Sequence, residues 1–128
     1  MLPVGSRKGD SIMEFVIDQN VKYVNLCQHD INVLPPSGDE AEMMTVPPSG
    51  VVARCASKEV VKREIGRFNG LDMEFGEVTD LPASEPNTIF IASRLVAERA
   101  ARQDVVAPGR MVTLASGERA CVGLSVFA

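Results

Sequence analysis

His29, the single histidine of the chain, sits in Cys27-Gln28-His29-Asp30, and an imidazole beside a thiol and a carboxylate is the first grouping that could do chemistry. Imidazole titrates near neutral pH and can serve as a general base or activate a nucleophile. In an extended segment adjacent side chains point to opposite faces, so His29 and Asp30 do not face one another, whereas Cys27 and His29 share a side. As a metal pair these two lack a second cluster, so nearby residues do not complete a tetrahedral zinc site and no metal is expected. The plainer role for His29 is a loop histidine hydrogen-bonded to backbone.

The second grouping is Ser93-Arg94, at an expected strand-to-helix junction. Backbone N–H groups at a helix start, with a hydroxyl and a guanidinium, suit an anion. Ser93, Arg94, His29 and Arg102 are therefore the candidate anion- or ligand-binding residues. No Gly-rich loop precedes the helix, so neither a Walker motif nor a dinucleotide fingerprint is present and no cofactor is expected. The plainer reading is that Ser93 caps the helix, Arg94 pairs with an acid such as Glu77, and Arg102 with Asp104 forms a salt bridge. The carboxylates Asp39, Glu40, Glu42, Glu74, Glu77 and Asp80 could hold a divalent ion through oxygens. Glu74 and Glu77 fall on opposite strand faces, however, so solvated surface is the simpler account.

These groups must be positioned mainly by strands. Residues 12–16 can be read as the start of a helix, but a hairpin over 14–26 turning at 18–20 suits Val21, Tyr23, Val24, Leu26 and Asn20 better. Strands are expected at 31–34, 43–46 and 51–55, separated by two copies of Pro-Pro-Ser-Gly, at 35–38 and 47–50. Two prolines withhold ladder donors and a glycine permits positive φ, so each copy reads as a strand break or turn. Residues 58–65 read as a strand or a single helical turn, and 71–78 as a strand entered through an Asn69-Gly70 turn. Thr88 to Ala92 is uncharged and apolar, as in a central strand buried on both faces. A helix follows over about 93–102, with Ser93 as N-cap, and Pro108-Gly109 is expected to end that unit. The last hairpin is read as 111–114 with 120–126; its apolar final strand must lie inside the sheet or against another subunit.

At 128 residues the chain is of single-domain size, with 45 % hydrophobic and 23 % charged residues, and needs no metal or disulfide to fold. A net charge of −4, no Trp and one Tyr argue against a nucleic-acid partner, which needs clustered cations and stacking faces. Three scattered cysteines are no disulfide framework, and no apolar run reaches the ~20 residues of a membrane span. The expected compartment is a reducing cytoplasm.

Several stretches carry a resemblance: Val24-Asn25-Leu26 with His29 and Ile31, then residues 46–54, 75–82, 89–97 and 102–109, and finally Cys121 with Leu124. In these the chain resembles a family of small uncharacterised bacterial and prophage or phage proteins with VNLxxHxI, PPSGxVAR, FGEVxxLP and SxLVA motifs. The likeness spans roughly 100 residues and finds no counterpart for 1–22. It implies a phage or mobile-element accessory protein and implies no reaction.

The expectation is thus a flexible leader at 1–10 and a single α+β, mainly β, domain at 11–128: a curved sheet or small barrel carrying one helix. A homo-oligomer is expected, and two functions compete. One is a non-enzymatic binding or assembly protein that holds a host protein, a virion component or a small anionic ligand. The other is a small hydrolase or transferase on a phosphorylated substrate, with His29 as base and Ser93 and Arg94 on the anion. The second requires His29 and Arg94 to share a pocket.

Overall fold

The computed structural model of the chain describes residues 13–128; the leader expected at 1–10 lies outside them. Among the described residues nine strands form, with two main cores and a smaller cluster of Leu34, Leu114 and Ala120. The strands are β1 (Val16–Asp18), β2 (Val21–Asn25), β3 (Ile31–Leu34), β4 (Met44–Val46), β5 (Arg54–Ile65), β6 (Phe68–Thr79), β7 (Thr88–Ile91), β8 (Val105–Thr113) and β9 (Arg119–Ser125), with helix α1 (Arg94–Ala100) between β7 and β8. Seven of them make one sheet, in the order β1-β2-β7-β8-β9-β3-β4, and β5 with β6 stand apart as a two-stranded ribbon. The fold is mainly β with a single helix, and its curved sheet nearly closes into a barrel.

Alternation explains the curl. In β7, Ile89 and Ile91 point into a core with Ile31, Val33, Val46, Val106 and Cys121, while Phe90 and Ala92 face a second core beneath the helix with Val24, Leu26, Val96, Ala97 and Val105. Side chains reach the first core from strands all around the sheet, so that core is the barrel interior. Phe90, Ile91 and Ala92 are fully buried, as a strand covered on both sides must be. Closure comes from the far edge of β2. Its first residues pair with β1, and Asn25 then bridges Pro48 just beyond β4, with the Ser49 N–H donating to the Asn25 carbonyl at 2.9 Å.

The turn at Gln19-Asn20 forms where expected, both residues having positive φ as a tight hairpin requires. Other boundaries move. The helix is shorter than 93–102: Ser93 caps it, and Ala101 enters the left-handed region (φ 51°, ψ 41°) and ends it. Residues 51–53 are not strand, because they pack the chain against the core beneath the helix before β5 begins at Arg54. The turn expected at Asn69-Gly70 is at Gly66-Arg67, between the paired residues Ile65 and Phe68, with Gly66 at φ 61°. Asn69 and Gly70 are strand residues beside a register shift between Val61 and Arg63.

Pro108-Gly109 does not end a unit; it lies inside β8. That strand pairs parallel to β7 at Val105 and Val106, then antiparallel to β9 from Ala107 onward, and the proline falls at the change of partner. Gly109 there allows a close approach, since a Cβ would lie 2.4 Å from the Val122 carbonyl oxygen. The apolar last strand is interior, with β8 on one side and β3 on the other. Its burial therefore needs no second subunit.

Candidate functional site

Asn25, at the end of β2, is fully buried and its amide organises the segment that follows. Oδ1 accepts from the Cys27 N–H at 2.7 Å, and Nδ2 donates to the His29 carbonyl at 2.8 Å and the Val46 carbonyl at 2.9 Å. One side chain thus shapes the loop that carries Cys27 and His29 and pins it to β4. His29 is exposed, and its Nδ1 lies 3.0 Å from the Asp30 carbonyl oxygen. An oxygen there can only accept, so Nδ1 carries the proton and Nε2 is the open ring nitrogen.

The loop forms one wall of a shallow cleft of about 600 Å³ at the foot of the β5–β6 ribbon. Arg54, Cys55 and Thr79 line it from the ribbon, and Ser93 and Leu95 from the start of the helix. His29 and Ser93, far apart in sequence, therefore meet on one cleft. The Ser93 hydroxyl oxygen accepts from the Val96 N–H at 3.3 Å, as an N-cap does, which leaves its proton available to the cleft.

The other two sequence candidates are engaged elsewhere. Arg94 donates from Nε to Glu98 at 2.8 Å, one turn along the helix and not to Glu77, and its guanidinium lies 5.1 Å from the centre of the Phe127 ring. It does not line the cleft. Arg102 grips Asp104 with two parallel bonds of 2.9 and 2.7 Å and donates Nη1 to the Pro82 carbonyl at 3.0 Å. That triad fixes the loop before β7 to the end of the helix.

Hydrogen bonds from Arg102 and Ser84 hold the Asp104 carboxyl below the usual range, against the desolvation of a partly buried site. A carboxyl with a lowered folded pKa adds stability above its unfolded value of about 3.9, and that stability is lost as pH falls through the folded value. Asp104→Asn is accordingly expected to flatten the fall in melting temperature between about pH 5 and pH 2. An unchanged slope would show that the pair contributes nothing.

The thiols suit packing better than catalysis. Burial raises the Cys27 and Cys121 pKa values, which disfavours the nucleophilic thiolate. Among the described residues no three His, Cys, Asp or Glu side chains gather as metal ligands would. Glu74 and Glu77 are exposed on the ribbon, and Asp39 caps a short 3-10 turn (Glu40–Glu42) by accepting from the Ala41 N–H.

Two features escaped the sequence reading. Arg54 supplies the cleft's cation, although only the return of β6 alongside β5 places it there. The larger one is that the segments expected at 58–65 and 71–78 form a ribbon standing apart from the sheet. Residues 57–75 leave the barrel almost entirely, and Val61, Leu71, Met73 and Phe75, with Ile65 and Phe68 at the tip, are 41–60 % exposed. The signal was a long stretch, 58–74, in which charged residues break up the apolar ones in both strands. Among the described residues no helix is long and apolar enough to cross a membrane. The chain matches no protein-family model, no curated protein and no solved structure.

Proposed function

We propose that this is a non-enzymatic binding or assembly protein of a phage or prophage, and that the β5–β6 ribbon is its working part. One observation carries the reading: six large apolar side chains remain 41–60 % exposed on a two-stranded arm outside the barrel, with Phe75 at its foot beside the Arg99 guanidinium. A bare hairpin is marginal in water, and clustered exposed apolar surface marks an interaction site. The barrel, with its interior filled and its helix docked, serves as the rigid base from which the arm projects. Action in the host cytoplasm, or within a virion, accords with the phage resemblance.

The enzyme reading in the form first expected fails its condition, because Arg94 does not share the cleft with His29; a revised form rests on Arg54, which lines the cleft with His29 and Ser93. A phosphorylated substrate there would meet a base, a hydroxyl and a cation, although Arg54 takes the place expected of Arg94.

Hydrogen exchange separates the two. The full chain is isolated without denaturant from the cells that make it, and compared with the same chain diluted and stripped of partners. Slowed exchange confined to residues 57–75 in the cell-derived sample is the expected result. Slowing around 26–29 and 93–95 instead, or no difference along the ribbon, would sink the proposal.

A further inference from the structure

The barrel conceals its strand edges. Its outer strands, β1 and β4, are three residues each, and the bridge from Asn25 to Pro48 joins the two sides. The ribbon does the opposite. Both β5 and β6 run twelve residues with one edge unpaired, and neither contains a proline. In an antiparallel pair alternate residues turn their N–H and C=O groups outward, so each edge offers about six residues ready to pair.

Charge determines which edges can meet. β5 carries Arg54, Lys58, Lys62 and Arg63 against Glu59 and Glu64, a net +2, and β6 carries Asp72, Glu74 and Glu77 with no cation, a net −3. Two β6 edges set acid against acid, and two β5 edges bring together two net positive strands whose Glu59 and Glu64 offset only part of the repulsion. β5 beside β6 is the pairing that joins net charges of opposite sign. That match already operates within the ribbon, where Lys58 stands opposite Glu74 and Lys62 reaches Asp72 at 3.0 Å.

The apolar residues fit the same arrangement. Phe75 is opposite Ser57, Met73 opposite Glu59 and Leu71 opposite Val61, so these pairs lie on one face. If arms point the same way, β5 of one copy and β6 of the next run antiparallel, and the stripes join on one side of a continued sheet. Register shifts at Cys55/Ser57 and Val61/Arg63 add twist to such a sheet.

We propose that the ribbon's partner is a second copy of this chain, added edge to edge with β5 of one copy beside β6 of the next. This rests on the reading of the ribbon as the binding arm. Each copy keeps one open edge of each kind, so the contact is heterologous and builds a closed ring or an open filament, not a two-fold dimer.

The test mixes two full-length variants, Lys58→Cys and Glu74→Cys, one of them labelled with ¹⁵N, under mild oxidation. Peptide mapping is expected to find a 58–74 disulfide between chains in the mixture, and neither variant alone should form a link through its new cysteine. Native mass spectrometry of the unmodified chain should give more than two copies. Lys58→Glu and Glu74→Lys, each alone, should raise the concentration for half-assembly about tenfold or more, and the double variant should restore it.

A monomer at every concentration, no 58–74 link, or a 58–58 link in Lys58→Cys alone would each overturn the proposal. The two ideas can fail separately. A ribbon whose exchange is slowed by a different protein removes self-assembly and keeps the binding arm. A ribbon whose exchange never changes removes both.

Discussion

Asn25→Asp is expected to cost the fold about 3–5 kcal/mol at neutral pH, the range for a buried charge left without compensation. The change adds no bulk, so packing is not the cause. The amide donates to two carbonyl oxygens, of His29 and Val46, at a site with no solvent exposure. A carboxylate there would place negative charge against both of them. Protonation relieves part of the conflict by supplying one O–H donor, so the folded state must raise this carboxyl above its unfolded pKa of about 3.9. The sign follows: the penalty is smallest below that value and reaches its full size as pH rises through the raised one. Urea unfolding at pH 4 and pH 7 should therefore show a larger loss at pH 7. Asn25→Ala leaves the Cys27 N–H and the His29 and Val46 carbonyls unpaired, at about 1–3 kcal/mol each before water reaches them, so its loss should be of similar size or larger and, unlike that of Asn25→Asp, independent of pH. Equal stability of Asn25→Asp and the parent at pH 7 would mean that the amide is not the clasp described here.

The second large effect falls on the opposite side of the barrel. At Gly109 even a methyl group would lie 2.4 Å from the Val122 carbonyl oxygen and 2.8 Å from that of Gly123. Both are backbone atoms of β9, so no rotamer change makes room and the strands themselves must separate. Gly109→Ala is expected to reach or exceed the upper end of the ~1–3 kcal/mol typical of overpacking, and Gly109→Val to go further. Gly76→Ala is the control, because its new methyl would meet the Ala56 Cβ at 3.3 Å and the Ala56 carbonyl oxygen at an ordinary 3.8 Å on the exposed ribbon. Thermal melts of the three variants decide the matter: similar losses at positions 109 and 76 would refute the close-approach argument.

Legibility in the sequence followed burial. β2, β3, β7 and the helix are readable because buried faces impose a period on the residues, and Ser93 before an Ala-Leu-Glu-Arg run is a strong start signal. In the ribbon Leu71, Met73 and Phe75 do alternate with polar residues, so 71–78 is legible as a strand, but β5 with its adjacent Val60 and Val61 is not, and nothing local shows that the alternating face stays uncovered. Asn69-Gly70, a good turn pair, lies in β6 because the neighbouring Gly66 makes the turn instead, leaving Gly70 beside the extra residue of β5. The two Pro-Pro-Ser-Gly copies show the limit of local chemistry. The first makes a surface turn in which the Gly38 N–H donates to the Pro35 carbonyl, while the second buries Ser49 and binds Asn25 across the barrel. Nothing within four residues distinguishes them; the distant partner does. The same holds for the cleft. His29 and Ser93 could be nominated from their types, but that they meet, and that Arg54 and not Arg94 joins them, follows from strand order.

The position of β9 bears on how the molecule comes into being. During vectorial synthesis β3 and β4 emerge before β7 and β8, and the strand pairing between the two groups beyond the Asn25–Pro48 bridge comes only when β9 slides between β8 and β3. Until then the nascent chain holds two half-sheets with raw edges and an apolar lining open to water. Pairings between residues so distant in sequence form slowly. Closure of the sheet thus waits on contacts as far apart in the chain as Val33 with Cys121, and a slow step of folding is expected there.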